Sequence, residues 1–216
     1  MTEIEAFVAE LDEENARALA RIGAASSREP GDDVTVARLL LLALKNELEA
    51  TECAAAWIAS TPEVDVKLAL ARQAGDEAKH FGLIQKRLGE LGVSTAGFDP
   101  GPRSPLLQYL ASLESTVERV AAGQFTREAL ALVRNDEFIR LCKARGDEAT
   151  AALYEEVIQP DERHHHELGR RLLARVATTD AAREAARRAS RRTLELAEEL
   201  QEIARMKAGI SRAPGC

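Results

Sequence analysis

The chain has 216 residues, of which 45% are hydrophobic and 4% aromatic, and its formal net charge is -7. The length suits one domain with a substantial core, and the acidic balance argues against a general affinity for nucleic acids or anionic membranes. Three widely spaced cysteines exclude a disulfide framework and a Cys-x-x-Cys metal site. The abundance of Ala, Leu, Glu and Arg predicts an all-α protein.

Glycines, prolines and capping residues divide this single domain, residues 1–216, into helices. After the first helix, the loop 23–33 places Asp32 or Asp33 as a cap for the next one. Beyond the last helix, we expect a loose tail over 209–216. The predicted helices are 2–22, 34–60, 62–91, 104–144, 147–176 and 180–207.

No segment predicts a membrane span or an export signal. The longest apolar stretch, 36–44, contains an arginine and is too short to cross a bilayer, and the chain starts with the acidic Met1-Thr-Glu-Ile-Glu. We therefore expect a cytoplasmic protein with reduced thiols. The clearest local exception to the acidic balance is the basic stretch from Arg183 to Arg192.

One tetrapeptide pattern occurs twice in predicted helices. Glu77-Ala-Lys-His80 and Glu162-Arg-His-His165 both read Glu-x-x-His, and each follows an aspartate, Asp76 or Asp161. A carboxylate and an imidazole three residues apart project from nearly the same helix face and can bind one metal. A four-helix bundle that holds two metals uses two such pairs and a single glutamate from each of the other two helices. The pattern therefore predicts two more glutamates.

The turns between helices select those glutamates. In an antiparallel hairpin, residues at one depth lie at similar sequence distances from the turn. Glu47 and Glu77 are equally distant from Pro62, and Glu128 and Glu162 are equally distant from Arg145. Other glutamates on the same helices fit less well; they are Glu49, Glu52, Glu118 and Glu137.

Apolar residues flank all of these positions at helical spacing, so the carboxylates face the core. Four buried carboxylates repel one another, and two divalent cations would resolve that repulsion. Asp76 and Asp161 are each placed to accept the ring N–H of a ligand histidine and to fix its tautomer, and His166 is a further outer candidate. Pro160 predicts a kink or an irregular turn just before the second pair.

With Glu47, Glu77, His80, Glu128, Glu162 and His165 in this order, residues 34–176 resemble the ferritin-like superfamily of carboxylate-bridged di-iron proteins. The resemblance implies an up-down-up-down four-helix bundle with an additional N-terminal helix, 2–22, and an additional C-terminal helix, 180–207. It implies that Glu77 and Glu162 bridge two metals, while Glu47 and Glu128 are terminal ligands. Residues 123–129 and 161–169 are most similar to the tRNA hydroxylase-like and related uncharacterised branch.

The resemblance implies an oxidoreductase that holds two iron ions, with manganese or a mixed pair left open. Such an enzyme activates dioxygen and hydroxylates or oxidises a small organic or nucleoside-like substrate. Because the chain shows no flavin, nicotinamide or cysteine-rich redox motif, it needs an external electron donor or reductase. Two alternatives stay open. One is iron oxidation, storage or detoxification of the ferritin type; the other is a metal-free helical interaction protein, with the fifth helix serving a homodimer.

Overall fold

The computed structural model describes residues 2–25, 34–208 and 214–215, which form helices joined by turns. The all-α prediction is confirmed. The α-helices are α1 (Glu3–Ala25), α2 (Val36–Ser60), α3 (Val64–Glu90), α4 (Pro105–Ala111), α5 (Thr116–Arg119), α6 (Glu128–Ala144), α7 (Glu148–Leu153), α8 (Gln159–Val176) and α9 (Asp180–Ala208).

The start of α2 differs from the prediction. The Thr35 hydroxyl accepts a hydrogen bond from the Arg38 backbone N–H at 3.2 Å and caps the helix. The expectation that Asp32 or Asp33 caps α2 is therefore wrong, and both aspartates lie outside the described residues. A threonine hydroxyl satisfies the free N–H groups of a first helical turn as an aspartate would.

The helix predicted over 104–144 is interrupted. Helix α4 ends at Ala111, and Ser115 then starts α5 with a capping box that it shares with Glu118. A capping box satisfies the free N–H groups of a new helix start, so the chain can turn here without leaving donors unpaired. From α5 the chain continues through a first π-helical segment, Val120–Arg127, directly into α6.

The helix predicted over 147–176 contains a second π-helical segment, Tyr154–Ile158, between α7 and α8. The Gln159 N–H bonds to the Tyr154 carbonyl, five residues back. Pro160 follows at once, and it has no N–H to offer a carbonyl of the preceding turn. The wider π-helical turn accommodates that missing donor. The irregular turn predicted beside Pro160 is confirmed.

The stretch from the N-cap of α7 to the end of α8 runs antiparallel to α3. Ion pairs join Asp147 to Arg87, Asp161 to Lys79, and Arg175 to Asp65, so residue numbers rise on one helix as they fall on the other. Helix α8 also runs antiparallel to the continuous stretch of the first π-helical segment and α6, because Gln159 donates to the Leu132 carbonyl while Gly169 approaches Gln124.

Helices α1 and α9 form a parallel pair beside the first π-helical segment. Hydrogen bonds and an ion pair connect Glu3 with Arg183, Asn15 with Ser190, and Arg21 with Glu198. Asn15 and Ser190 both also bond to Thr126, and all three side chains are buried. This pair of helices therefore covers the segment that leads to Glu128.

The buried core has a polar middle. One apolar cluster includes Trp57, Leu70, Phe125 and Leu172, and another includes Leu44, Ile84, Phe138 and Tyr154. The predicted ligands lie in sequence between members of these clusters on each helix. Among the described helices, none has the length and apolar character needed to cross a bilayer.

Candidate metal centre

The structure brings all six predicted ligands together in the buried core, in two overlapping groups. In each group, one ligand atom per residue lies within 4.8 Å of all the others. We call them the first group (Glu47, Glu77, His80 and Glu162) and the second group (Glu77, Glu128, Glu162 and His165). Glu77 and Glu162 belong to both groups, so each could contact two ions.

Each ligand comes from a different turn of regular helix. Glu47 lies on α2, and Glu77 and His80 lie one helical turn apart on α3. Glu128 is the first residue of α6 and directly follows the first π-helical segment. The second Glu-x-x-His pair lies in α8, after the second π-helical segment. The glutamates that were selected by equal sequence distances from the two turns therefore lie close together in the structure.

In the first group, the ligand atoms surround His80 closely. Its Nδ1 atom is 3.4 Å from Glu77 Oε2, 3.6 Å from Glu47 Oε2 and 3.7 Å from Glu162 Oε1. Ligands of one ion at ~2.0–2.2 Å lie roughly 3–3.6 Å from each other. The first group is therefore close to the size that one cation needs.

The second group is wider. His165 Nδ1 is 3.8 Å from Glu162 Oε2, 3.9 Å from Glu77 Oε1 and 4.0 Å from Glu128 Oε2. Its residue types match those of the first group, a histidine with three carboxylates. Small side-chain movements would bring these atoms to coordination distance.

The two histidines are held by aspartates from the opposite hairpin. His80 Nε2 donates to Asp161 Oδ2 at 3.1 Å, and His165 Nε2 donates to Asp76 Oδ2 at 3.0 Å. Because a carboxylate only accepts, each ring carries a proton on Nε2, and its Nδ1 atom faces the carboxylates of the cluster. Asp76 and Asp161 therefore lie within hydrogen-bond distance of the two histidines, and their role in fixing the ring tautomers for a metal stays a prediction.

Several atoms of this cluster are buried without a hydrogen-bond partner among the described residues. They are His80 Nδ1, His165 Nδ1, Glu128 Oε2 and Glu162 Oε2. A buried polar atom without a partner is destabilising and rare in folded proteins. All four atoms belong to residues of the two groups and could coordinate a metal. A bound cation would therefore supply the partner that each atom lacks. The residues present therefore fit a metal.

Without a cation, most carboxyl groups of the cluster have raised pKa values. Burial, followed by neighbouring charges, raises the pKa of Glu47 to about 7 and that of Glu162 to about 8. Burial also raises the pKa of Glu128 well above its ordinary value, and the charge of Glu162 adds to this. The metal-free cluster therefore retains protons that bound cations would displace.

Glu77 and His80 shift in the opposite sense and form the charged pair of the metal-free cluster. Burial favours the neutral form of Glu77, but His80 and the charge on Arg127 outweigh it and lower the pKa of Glu77 to about 2. Burial also opposes the charge on His80, but Glu47 and Glu77 outweigh it and raise the pKa of His80 to about 12.

His166 lies beside the cluster in a different role from the two ligand histidines. Its Nδ1 atom donates to the Phe125 carbonyl at 2.7 Å, and its ring stacks on the Phe125 ring with centroids 5.2 Å apart. His166 therefore supports the π-helical backbone that leads to Glu128, and this hydrogen bond is not to a ligand side chain.

Two residues that contact Glu128 are not among those predicted from the sequence. Gln73 donates from Nε2 to Glu128 Oε1 at 2.5 Å, and Arg127 Nη1 lies 3.4 Å from the same oxygen. Both side chains are buried. The available signal was a glutamine one helical turn before Glu77 and an arginine next to Glu128, within the apolar stripes.

Part of the C-terminal tail packs against the site. The Asn46 side chain donates to the Pro214 carbonyl at 2.9 Å, and the Gly215 N–H donates to Asn135 Oδ1 at 2.8 Å. Pro214 and Gly215 are buried, and a Cβ at Gly215 would lie 3.7 Å from Glu47 Oε1. The expectation of a loose tail is wrong for these two residues; 209–213 and Cys216 lie outside the described residues.

Comparison with known proteins identifies the family of this chain. Residues 13–214 match the family described as a protein of unknown function, DUF455. The chain belongs to this family. The matched range includes all six residues of the cluster, and its last residue is the buried Pro214. No curated protein and no solved structure matched the chain.

Proposed function

We propose that this member of the DUF455 family is a di-iron oxidoreductase of ferritin-like fold that uses dioxygen to hydroxylate or oxidise a small organic or nucleoside-like substrate. The observation that carries the proposal is the pair of buried groups that share Glu77 and Glu162. Each group supplies carboxylate oxygens and one imidazole nitrogen, a donor set that suits iron or manganese.

The residues of the chain have separate tasks in this proposal. Glu77 and Glu162 would be shared by the two positions, Glu47 and Glu128 would complete one position each, and Asp161 and Asp76 would hold the histidine rings in the ligating tautomer. Two ferrous ions bound there would supply the electrons that reduce dioxygen, and an external reductase would restore them. The apolar clusters on both sides exclude bulk water from the centre.

The surface charges support a small substrate rather than a nucleic acid. Most arginines of the basic stretch 183–192 are paired with carboxylates in the structure, which reduces their attraction for phosphates. The pairs are Arg183 with Glu3 and Asp180, Arg187 with Glu10, Arg188 with Glu184, and Arg192 with Glu195 and Glu199.

Metal analysis combined with an oxygen assay tests the proposal. Protein stripped with a chelator and reloaded anaerobically with ferrous iron should hold about two ions per chain and consume dioxygen when a reductant is supplied. Glu162→Ala should hold fewer than one ion, because Glu162 belongs to both groups. Glu167→Ala, an exposed glutamate of the same helix, is the matched control and should match the unmodified protein.

Each alternative function predicts a different result. Well under one ion per chain, with no effect of Glu162→Ala, would sink the proposal and favour a metal-free interaction protein. Two ions per chain with oxygen uptake that stops once the iron is oxidised, even with a reductant present, would indicate iron handling instead.

A further inference from the structure

The two terminal glutamates of the cluster have different surroundings. Glu128 Oε1 accepts from Gln73 at 2.5 Å and lies 3.4 Å from Arg127 Nη1, while Glu128 Oε2 has no hydrogen-bond partner and faces His165. Glu47 takes no hydrogen bond from an amide or guanidinium among the described residues; its Oε2 faces His80. One oxygen of Glu128 is thus already engaged, and Glu47 has both available.

The orientation of the Gln73 amide follows from its neighbours. Its Nε2 atom lies 2.5 Å from Glu128 Oε1 and 3.5 Å from Glu77 Oε1, so carboxylates flank it on two sides. With metal bound, both carboxylates would be ionised and would only accept hydrogen bonds, so the NH₂ end of the amide must face them. Gln73 is buried, with 4% of its surface exposed, and water does not compete for these bonds.

We propose that Gln73 is a positioning residue that holds Glu128 as a one-oxygen ligand, so that the two metal positions of the cluster are unequal. The 2.5 Å hydrogen bond from the amide engages one lone pair of Glu128 Oε1, whereas Oε2 has no hydrogen-bond partner and faces His165, so Oε2 is the oxygen of Glu128 that would bind a cation. The first position can draw on both oxygens of Glu47. A cation at the second position would then have one protein oxygen fewer than a cation at the first, and the larger separations around His165 Nδ1 agree with this.

This inference rests on the proposed function only because it assumes two bound ions. It assigns the binding of dioxygen or substrate to the second position. An uncharged donor suits this role. A lysine at position 73 would neutralise part of the charge that attracts the cations, and a glutamate would add a fifth buried carboxylate to the cluster.

Stepwise cobalt binding tests the inference without any turnover. Metal-free protein is titrated with Co²⁺ and followed by calorimetry and by visible absorption, which reports the coordination number of each ion. Glu47→Gln and Glu128→Gln assign the two binding steps to the two positions. In the unmodified protein, the ion at the second position should show the stronger absorption, which is characteristic of fewer ligands.

Gln73→Met removes the amide and keeps the length of the side chain. Without the amide, Glu128 loses its orientation, and the second step should weaken by about 10- to 100-fold while the first stays within about twofold. The absorption of the second ion should fall toward that of the first, because Glu128 can now bind through both oxygens. Gln73→Leu serves the same purpose if the methionine variant does not fold.

Asn15→Leu is the matched control. It removes another buried amide, which bonds to Thr126 and Ser190 and to none of the six ligands, so it should lower the Tm and leave both steps unchanged. Unchanged constants and spectra in the Gln73 variants would overturn the inference, and so would equal weakening of both steps. Failure of the unmodified protein to bind cobalt or iron would instead overturn the proposed function.

Discussion

The two hairpins that supply the cluster deliver the same residue types through different backbones. In the first, α2 and α3 are continuous α-helices over 25 and 27 residues. In the second, a π-helical segment directly precedes α6 and another directly precedes α8, shortly before the predicted ligands. The ligand atoms around His80 are also closer together than those around His165. The same ligand pattern therefore does not require regular helices, and the irregular half is the looser one.

The irregular hairpin also has the closer backbone contact. A Cβ at Gly169 on α8 would lie 2.5 Å from the carbonyl carbon and oxygen of Gln124, within the first π-helical segment. On α3, a Cβ at Gly82 would meet nothing within 4 Å. The second hairpin thus depends on a glycine for its packing, whereas this glycine of the first does not contribute to packing.

The largest expected effect is that of Gly169→Ala. Because the obstacle is backbone, the added carbon forces α8 away from the segment before Glu128 and should destabilise the protein by about 3 kcal/mol. Thermal unfolding of the metal-free protein should show a Tm lower by roughly 6–12 °C. An unchanged Tm would mean that the two helices are not in this close contact.

The aspartates that hold the histidines should separate the two positions by their effect on metal affinity. Asp161→Asn should weaken the first position, which contains His80, and Asp76→Asn should weaken the second, which contains His165. We expect losses of about 10- to 100-fold in each case, measured as stepwise cobalt binding constants. The effect crosses between hairpins, because each aspartate lies on the helix opposite to the histidine that it holds. Losses at the histidine of the same helix would contradict the assignment.

The charges of the cluster predict that the stability of the metal-free protein falls with rising pH, while the stabilisation gained on binding metal increases. Glu47 and Glu162, with pKa values raised to about 7 and about 8, keep protons in the folded state that the unfolded chain loses near 4.5. The folded state therefore binds more protons, and stability falls as pH rises from 4.5 to about 8. His80, with its pKa raised to about 12, acts in the same direction above 6.5, and Glu77 contributes only below 4.5.

Thermal unfolding between pH 5 and pH 8 checks this trend. With a chelator present, the Tm should decrease over the range, and the increase in Tm on adding metal should become larger, since binding requires deprotonated ligands. With the chelator present, Glu162→Gln should make the decrease in Tm with rising pH less steep. A chelated protein whose Tm rises over this range would contradict the expected trend.

The smallest expected effect is that of Gly82→Ala, which is also the control for Gly169→Ala. Gly82 is exposed in the middle of α3, where alanine restricts the unfolded chain and introduces no contact. The variant should be more stable by about 0.5–1 kcal/mol. A loss of stability here would mean that α3 is less regular than described.

The sequence was sufficient to select six residues that meet in the buried cluster, because their selection depended on hairpin symmetry, which the described helices preserve. Glu47 and Glu128 were found by their distances from two turns, and both turns lie where proline and glycine predicted them. The break between α4 and α5 was missed, although Ser115 and Glu118 carry a readable capping box.

Other features depend on neighbours distant in sequence and could not be read locally. The first π-helical segment is buried over its whole length and packs against α8 and α9, so its shape depends on their approach. Gln73 gains its role only because Glu128 faces it from another hairpin. Pro214 and Gly215 are ordered by two asparagines on different helices, which a terminal stretch alone does not reveal.

The reciprocal aspartate–histidine bonds between α3 and α8 also constrain how the two hairpins can assemble. His80 bonds to Asp161 and His165 bonds to Asp76, so the two contacts tie the same pair of antiparallel helices four residues apart on each. A slip of one helix by a single turn, about 5.4 Å, would break both contacts at once and leave both rings without their partners. The register in which the two hairpins pack and the orientation of the two histidine rings are therefore determined by the same pair of contacts.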